Sequence, residues 1–233
     1  MSIKFAVIVF PGSNCDHDSY HAAKHVLGQD AELIWHKDTS LRGADVVVLP
    51  GGFAHGDYLR TGAIARFSPI MQEVQRFAAA GGPVLGICNG FQILCEAGLL
   101  PGVLRANASL SFVCSDVAVR VEHSRPPFTN RAEPGQQLVI PVKHGEGCWY
   151  APPELLAELE TAGQIVLRYE PGQNPNGAVA DVAGVTNEQG NVMGLMPHPE
   201  HAVDPMLGSG DGALILASLV DAARAPIQTP ISA

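Results

Sequence analysis

Along the first hundred residues, short apolar runs alternate with stretches in which apolar positions recur every three or four residues. Ile3 to Phe10 is almost continuously apolar and stops at Pro11-Gly12-Ser13-Asn14. That pattern predicts a strand covered on both faces, then a loop into a helix beginning near Asp16. Ala31 to His36 and the β-branched run Asp45 to Leu49 predict two further strands, the second ending at Pro50-Gly51-Gly52. Between Gly62 and Ala80 the apolar residues Ile64, Phe67, Ile70, Met71, Val74 and Phe77 have the spacing of one amphipathic helix. Val84 to Ile87 predicts a strand, and Asn89 to Glu96 the helix it feeds. Strands alternating with helices imply a parallel sheet wrapped on both faces.

Beyond Gly98 the pattern changes. Phe112 to Glu122, Leu138 to Lys143, Ile165 to Tyr169, Ala178 to Val182 and Asn191 to Met196 read as strands, with one intervening helix near Glu154 to Thr161. They are expected to extend the sheet or to form an antiparallel flap. A last helix from Gly212 to Ala223 carries Leu216, Leu219, Val220 and Ala223 on its apolar face, and Pro226 to Ala233 is expected to trail. Neither an internal repeat nor a low-complexity linker interrupts the chain, so residues 1–233 are read as a single domain. The expected fold class is α/β, a doubly wound, mostly parallel sheet flanked by helices with an antiparallel extension.

Composition narrows the classes. At 233 residues and 46% hydrophobic content the chain can bury a substantial core. A formal net charge of -9 argues against a nucleic-acid surface or an anionic membrane as partner. The sequence shows no basic leader followed by an apolar stretch, and no apolar run of bilayer length. Five cysteines without framework spacing suit a reducing compartment. A cytoplasmic enzyme or binding protein is the expectation.

The chemistry concentrates at three strand ends. Gly86-Ile87-Cys88-Asn89-Gly90 has the spacing of a nucleophile elbow, in which a tight strand-to-helix turn lifts one reactive side chain clear of the sheet. A thiol there sits at a helix N-terminus, whose unpaired N–H groups favour a thiolate. Far downstream, Pro197-His198-Pro199-Glu200 follows the predicted strand ending at Met196. Pro199 biases His198 towards extended backbone, where residues two apart point the same way. His198 and Glu200 can therefore act as base and orienting acid to a Cys88 nucleophile. Each motif alone is commonly structural; their joint occurrence at strand ends points to catalysis. Pro50-Gly51-Gly52-Phe53 supplies the third element, and the N–H groups of Gly52 and Asn89 are the expected oxyanion hole.

With these residues the chain resembles the class I, triad-type glutamine amidotransferases, whose flavodoxin-like core the predicted sheet matches. Phe10 to Asp16, Gly51 to Arg60, Asn107-Ala108-Ser109-Leu110 with Phe112-Val113, His144-Gly145-Glu146-Gly147, and Leu207-Gly208 with Asp211-Gly212 are similar to one subfamily. These are the glutaminase subunits of phosphoribosylformylglycinamidine (FGAM) synthases, and the likeness runs from residue 3 to about 222. The resemblance implies that Cys88 attacks the side-chain amide of glutamine and that water later releases glutamate. It places Gln92, Phe53, Ser109 and Phe112 at the substrate. It also implies ammonia transfer to a large FGAM synthase subunit, sometimes with a small accessory subunit; ATP and magnesium belong to that partner, and this chain needs no cofactor. Family members commonly carry Arg where this chain has His201, which puts any partner contact or charge role at that position in doubt.

Bland readings apply elsewhere. His17, His21 and His25 share a helical spacing that suits zinc, but a solvated face is expected and no metal is assigned. His144 is a second candidate base, read rather as a strand-end turn. His55 and Asp57 lie in a Gly-rich loop and either contact ligand or merely connect. Cys15 is the next thiol to suspect after Cys88; Cys95, Cys114 and Cys148 are read as packing residues. Pro11-Gly12-Ser13-Asn14 is not a nucleotide loop. The rival functions are a glutaminase serving another synthase, a cysteine peptidase or γ-glutamyl hydrolase on this scaffold, and a non-catalytic thiol sensor.

Overall fold

Among the described residues, nine strands form one sheet in the order β2-β1-β3-β4-β11-β10-β9-β6-β7. The computed structural model describes residues 2–57, 60–124 and 127–224. Strands β1 (Lys4–Val9), β2 (Asp30–Trp35), β3 (Val46–Leu49), β4 (Val84–Ile87) and β11 (Val192–Leu195) run parallel. The apolar runs of β1, β3, β4 and β11 are covered on both faces, as continuous apolar strands require, whereas the edge strand β2 is only partly buried. From β11 outward, β10 (Val182–Thr186), β9 (Ile165–Tyr169), β6 (Val113–Val121) and β7 (Gln137–His144) continue the same sheet antiparallel. The expected α/β sheet with an antiparallel extension is thus present, and the extension adds to the main sheet. A separate two-stranded sheet pairs β5 (Val103–Arg105) with β8 (Cys148–Tyr150), two short strands the sequence pattern does not reveal.

The helices are α1 (Asp16–His21), continued by a π-helical turn over Ala22–Val26, α2 (Thr61–Ala65), α3 (Ile70–Ala79), α4 (Asn89–Glu96), α5 (Pro153–Ala162) and α6 (Gly212–Arg224). One expectation fails at α2 and α3, which replace the single helix expected from Gly62 to Ala80. Pro69 lacks an amide hydrogen and its ring disfavours helical backbone at Ser68, so the chain breaks there despite its helical periodicity. The Ser68 hydroxyl instead meets the His36 ring nitrogen Nδ1 at 2.8 Å. A second correction concerns the strand expected over Ala178–Val182. Ala180 and Asp181 have φ of 51° and 56°, outside any strand, and β10 begins only at Val182. The tail 226–233, expected to trail, lies outside the described residues, as do Tyr58 and Leu59 of the Gly51–Arg60 motif. Among the described residues no helix is long and apolar enough to cross a membrane.

At the centre, β4 turns into α4 with no intervening loop. Cys88 occupies the corner with φ 49° and ψ −105°, a backbone cost that a non-glycine residue bears only where its surroundings enforce it. The flanking glycines do the enforcing. A Cβ on Gly90 would lie 1.9 Å from the Leu49 carbonyl oxygen, and one on Gly86 would lie 2.7 Å from that of Gly90. Helix α4 therefore packs directly onto the end of β3. Gly90→Ala forces backbone apart from backbone and is expected to cost at least the ~1–3 kcal/mol of ordinary overpacking. A thermal melt checks this against Gly145→Ala, whose new methyl would meet nothing closer than 3.9 Å; equal melting temperatures would refute the packing account.

Candidate active site

Strand pairing alone brings distant residues together. β4 and β11 pair in register from Val84 opposite Val192 to Ile87 opposite Leu195, and the Cys88 amide donates to the Leu195 carbonyl at 2.9 Å. The residues just past both strands, Cys88 and the Pro197–Glu200 segment, are therefore neighbours although 110 positions apart. β3 lies against β4 on the other side and delivers Gly51 and Gly52; β1 is next and delivers Cys15. All four loops leave the carboxyl ends of adjacent parallel strands, where α/β sheets place their ligands.

Gly51 measures how tightly these groups converge. A single Cβ built there would stand 2.6 Å from Cε1 of His198 and 3.1 Å from Cβ of Cys88. Only a residue without a side chain allows thiol and imidazole to approach across this point. His198 and Glu200 are 1% and 3% exposed, and Nδ1 of His198 lies 2.7 Å from Oε1 of Glu200. Burial by itself would lower the imidazole pKa. The Glu200 carboxylate foremost, then the Cys15 and Cys88 thiols, outweigh burial and hold it well above the ordinary histidine value. Nε2 of His198 has no hydrogen-bond partner among the described residues. The Cys88 thiol points at the Lys143 carbonyl, 3.6 Å away. Catalytic hydrogen bonds in a ligand-free site are commonly long and tighten when substrate enters.

A cavity of about 360 Å³ opens in front of Cys88. Its walls include Gly52, Phe53, Asp57, Asn89, Gln92 and Phe112, so most of the expected pocket residues share one chamber. Ser109 does not: the wall there is Leu110, Ser111 and Phe112, and the exposed Ser109 hydroxyl accepts from the Ser111 amide at 3.3 Å. Phe53 and Phe112 stack at the rim, ring centroids 6.1 Å apart and nearly parallel. Behind them the Asn89 side chain is fully engaged. Its Oδ1 accepts from the Ala54 amide at 3.0 Å, and its Nδ2 donates to Asp57 at 3.0 Å and to Gln92 at 2.8 Å. Gln92 in turn donates to the Glu146 carbonyl at 2.7 Å. This network ties the Gly-rich loop and the His144–Gly147 turn to the first turn of α4.

Asp57 faces the cavity, whereas His55 packs its ring against Phe10 and His36 away from it. His144 is buried, its Nδ1 3.1 Å from Asn107 Oδ1 and its Nε2 3.4 Å from Asn176 Nδ2. Burial first, and the charge of His198 second, push its pKa down to about 4, so it stands neutral beside the pocket. Its role is architectural, together with Asn107, which also accepts from the Gly147 amide at 2.9 Å and donates to the His144 and Ser111 carbonyls. Sequence reasoning assigned Asn107 no such task; a lone buried asparagine in a loop has no periodic signature.

His201 stacks on His198 with ring centroids 5.0 Å apart, its Nε2 3.0 Å from the Asp18 carboxylate and its Nδ1 3.2 Å from Nζ of Lys143. Cys15, suspected as the second thiol, lies in this group. Burial raises its thiol pKa, but the neighbouring His198 and His201 imidazoles bring it below the ordinary cysteine value. His17, His21 and His25 sit on an exposed face, and the π-helical turn after His21 shifts His25 out of ideal register. Burial drives the Cys95 thiol strongly upward, in keeping with a packing residue.

Three comparisons with known proteins agree with one another. The family model for a CobB/CobQ-like glutamine amidotransferase domain matches residues 2–210. A phosphoribosylformylglycinamidine synthase subunit PurQ from Salinibacter ruber is 58% identical over 95% of this chain and 97% of its own. The PurQ of Moorella thermoacetica is 54% identical over 94% and 96%. In solved structures, a chain of PurLQS from Thermotoga maritima superposes with a TM-score of 0.86 at 41% identity, covering 95% of this chain and 99% of that one. A second glutamine amidotransferase of Thermotoga maritima, 16% identical, shares the fold with a TM-score of 0.62 over 97% of this chain and 100% of its own.

Proposed function

This chain belongs to the CobB/CobQ-like glutamine amidotransferase family, and on that premise we propose the residues that carry its reaction. It serves as the glutaminase subunit of phosphoribosylformylglycinamidine synthase, an enzyme of purine biosynthesis. Its partners are those joined to PurQ in the Thermotoga maritima assembly: PurL, the large synthase subunit, and PurS.

In the proposed scheme Cys88 is the nucleophile. Attacking as the thiolate opposite the protonated His198, its sulfur adds to the side-chain amide carbon of glutamine, and the amide oxygen gains the electron pair as the C–S bond forms. The N–H groups of Gly52 and Asn89 receive that oxyanion; both residues line the cavity beside Cys88, and the Asn89 amide opens helix α4, where such donors are free. His198 gives its proton to the departing nitrogen, the C–N bond breaks and ammonia leaves. A water then loses a proton to His198 as its oxygen attacks the γ-glutamyl thioester. The C–S bond breaks with its electron pair left on sulfur, and glutamate departs as the thiolate and protonated His198 of the starting state are restored. Glu200 holds the imidazole in orientation and stabilises its charged form through the 2.7 Å contact. Gln92, Phe53 and Phe112 shape the glutamine pocket. Ser109 is assigned a rim position only, through its bond to Ser111.

The observation that carries this assignment is the meeting of Cys88 and His198 across Gly51, with Glu200 behind the ring and a cavity in front of the sulfur. We place the whole chain in one domain of the cytoplasm. We assign the chain no cofactor, since every group in the scheme is its own side chain or backbone. The test is labelling with a glutamine-mimicking electrophile such as a diazo-ketone amino acid. Stoichiometric modification of Cys88, prevented by glutamine, is the expected result. Release of amino acids from peptides or polyglutamates without partner subunits would favour the peptidase reading instead.

A further inference from the structure

Cys15, His198, Glu200 and His201 all lie outside the lining of the glutamine cavity. Each offers one donor atom, and the four donors lie within 4.8 Å of one another. They come from two segments only, the loop after β1 and the turn after β11. One thiol, two imidazoles and one carboxylate make a donor set that zinc(II) accepts. Among the described residues no other group of three or more such side chains gathers in this way.

Two further observations point to a ligand here. Oε2 of Glu200 is buried without a hydrogen-bond partner, and buried acceptors are rarely left unused. Asp18 holds Nε2 of His201 at 3.0 Å, the outer carboxylate contact that usually orients a metal-bound imidazole. The opposite nitrogen, Nδ1, faces Oε1 of Glu200 at 3.8 Å. We propose that these four residues bind a zinc-class divalent cation, and that occupancy halts glutamine hydrolysis by engaging His198 and Glu200. Tetrahedral zinc donors stand about 3.3–3.8 Å apart, so the cluster must contract by about 1 Å. The Lys143 ammonium, 3.2 Å from Nδ1 of His201, must withdraw into the cavity it lines. Binding releases to solvent the Cys15 thiol proton and the protons carried by the metal-binding nitrogens of His198 and His201, and involves no change of oxidation state.

The inhibition rests on the glutaminase assignment, whereas metal binding does not, and the test separates them. Cobalt(II) titrated into the purified full chain should give one equivalent of tetrahedral d–d bands with a thiolate charge-transfer band. The signal should persist in Cys88→Ser and weaken about 10- to 100-fold in Cys15→Ser and His201→Gln, as loss of a ligand or its support typically does. Micromolar zinc should stop hydrolysis by the assembled synthase, reversibly with a chelator. The Cys15→Ser assembly should keep hydrolysing with zinc present. A cobalt signal lost in Cys88→Ser but kept in Cys15→Ser would overturn the site. So would the absence of stoichiometric binding, or stoichiometric binding that leaves hydrolysis untouched. An assembly that hydrolyses no glutamine even when metal-free would count against the glutaminase assignment, and the cobalt arm would still decide the metal site.

Discussion

Cys88→Ala should reduce glutamine hydrolysis by on the order of 10⁴-fold or more, since losing the nucleophile of a triad removes the covalent route altogether. No neighbouring thiol can replace it. Cys15 lies outside the cavity lining, and Cys95, Cys114 and Cys148 do not line it either. The fold should survive, because alanine fits a corner whose shape Gly86 and Gly90 already determine. The variant should therefore still assemble with its synthase partners, and the assembly should still use free ammonia. Steady-state glutaminase assays with and without added ammonium would separate these effects. Hydrolysis persisting in the variant would remove Cys88 from the mechanism.

His198→Ala comes next, with an expected loss of about 10²–10⁴-fold, the usual contribution of a positioned acid–base group. Its second consequence is thermodynamic. The folded-state pKa of His198 is raised above the unfolded value of 6.5. A group raised in this way contributes stability that is fully present below pH 6.5 and is lost as pH rises through the folded value. Wild-type protein should therefore lose melting temperature on the alkaline side of pH 6.5, and the variant should lose less. His201, also raised, leaves a remainder of the same sign in the variant. Identical pH profiles for the two proteins would show that the His198–Glu200 pair is not charged in the native state.

The helix break at Pro69 and the late start of β10 show where apolar spacing misleads. Spacing registers only which face is buried. It is blind to a missing amide hydrogen at one position, and to two successive left-handed residues at Ala180 and Asp181. The short strands β5 and β8 fail for a related reason: three residues are too few to display an alternation. Of the Ser109–Phe112 stretch that the resemblance brings to the pocket, Leu110, Ser111 and Phe112 line the cavity and Ser109 does not; in a loop no periodicity sets which residue faces inward.

Local rules were enough for the elbow. A glycine on each side of Cys88, a strand before it and a helix after it are properties of neighbouring residues, so sequence alone determines them. The extended run expected through Pro199 is absent, because Pro199–His201 forms a 3-10 turn with His198 just before it; that local turn, rather than an extended strand, sets the 2.7 Å contact between His198 and Glu200. Strand order is different in kind. That β11 inserts beside β4, and β3 on the other flank, follows from long-range pairing and from burial summed over the entire core. No short segment encodes it. The same pairing seats Cys15 and His201 against the imidazole and turns Asn107 towards His144, contacts between residues far apart in the chain whose energy exists only once the sheet has closed.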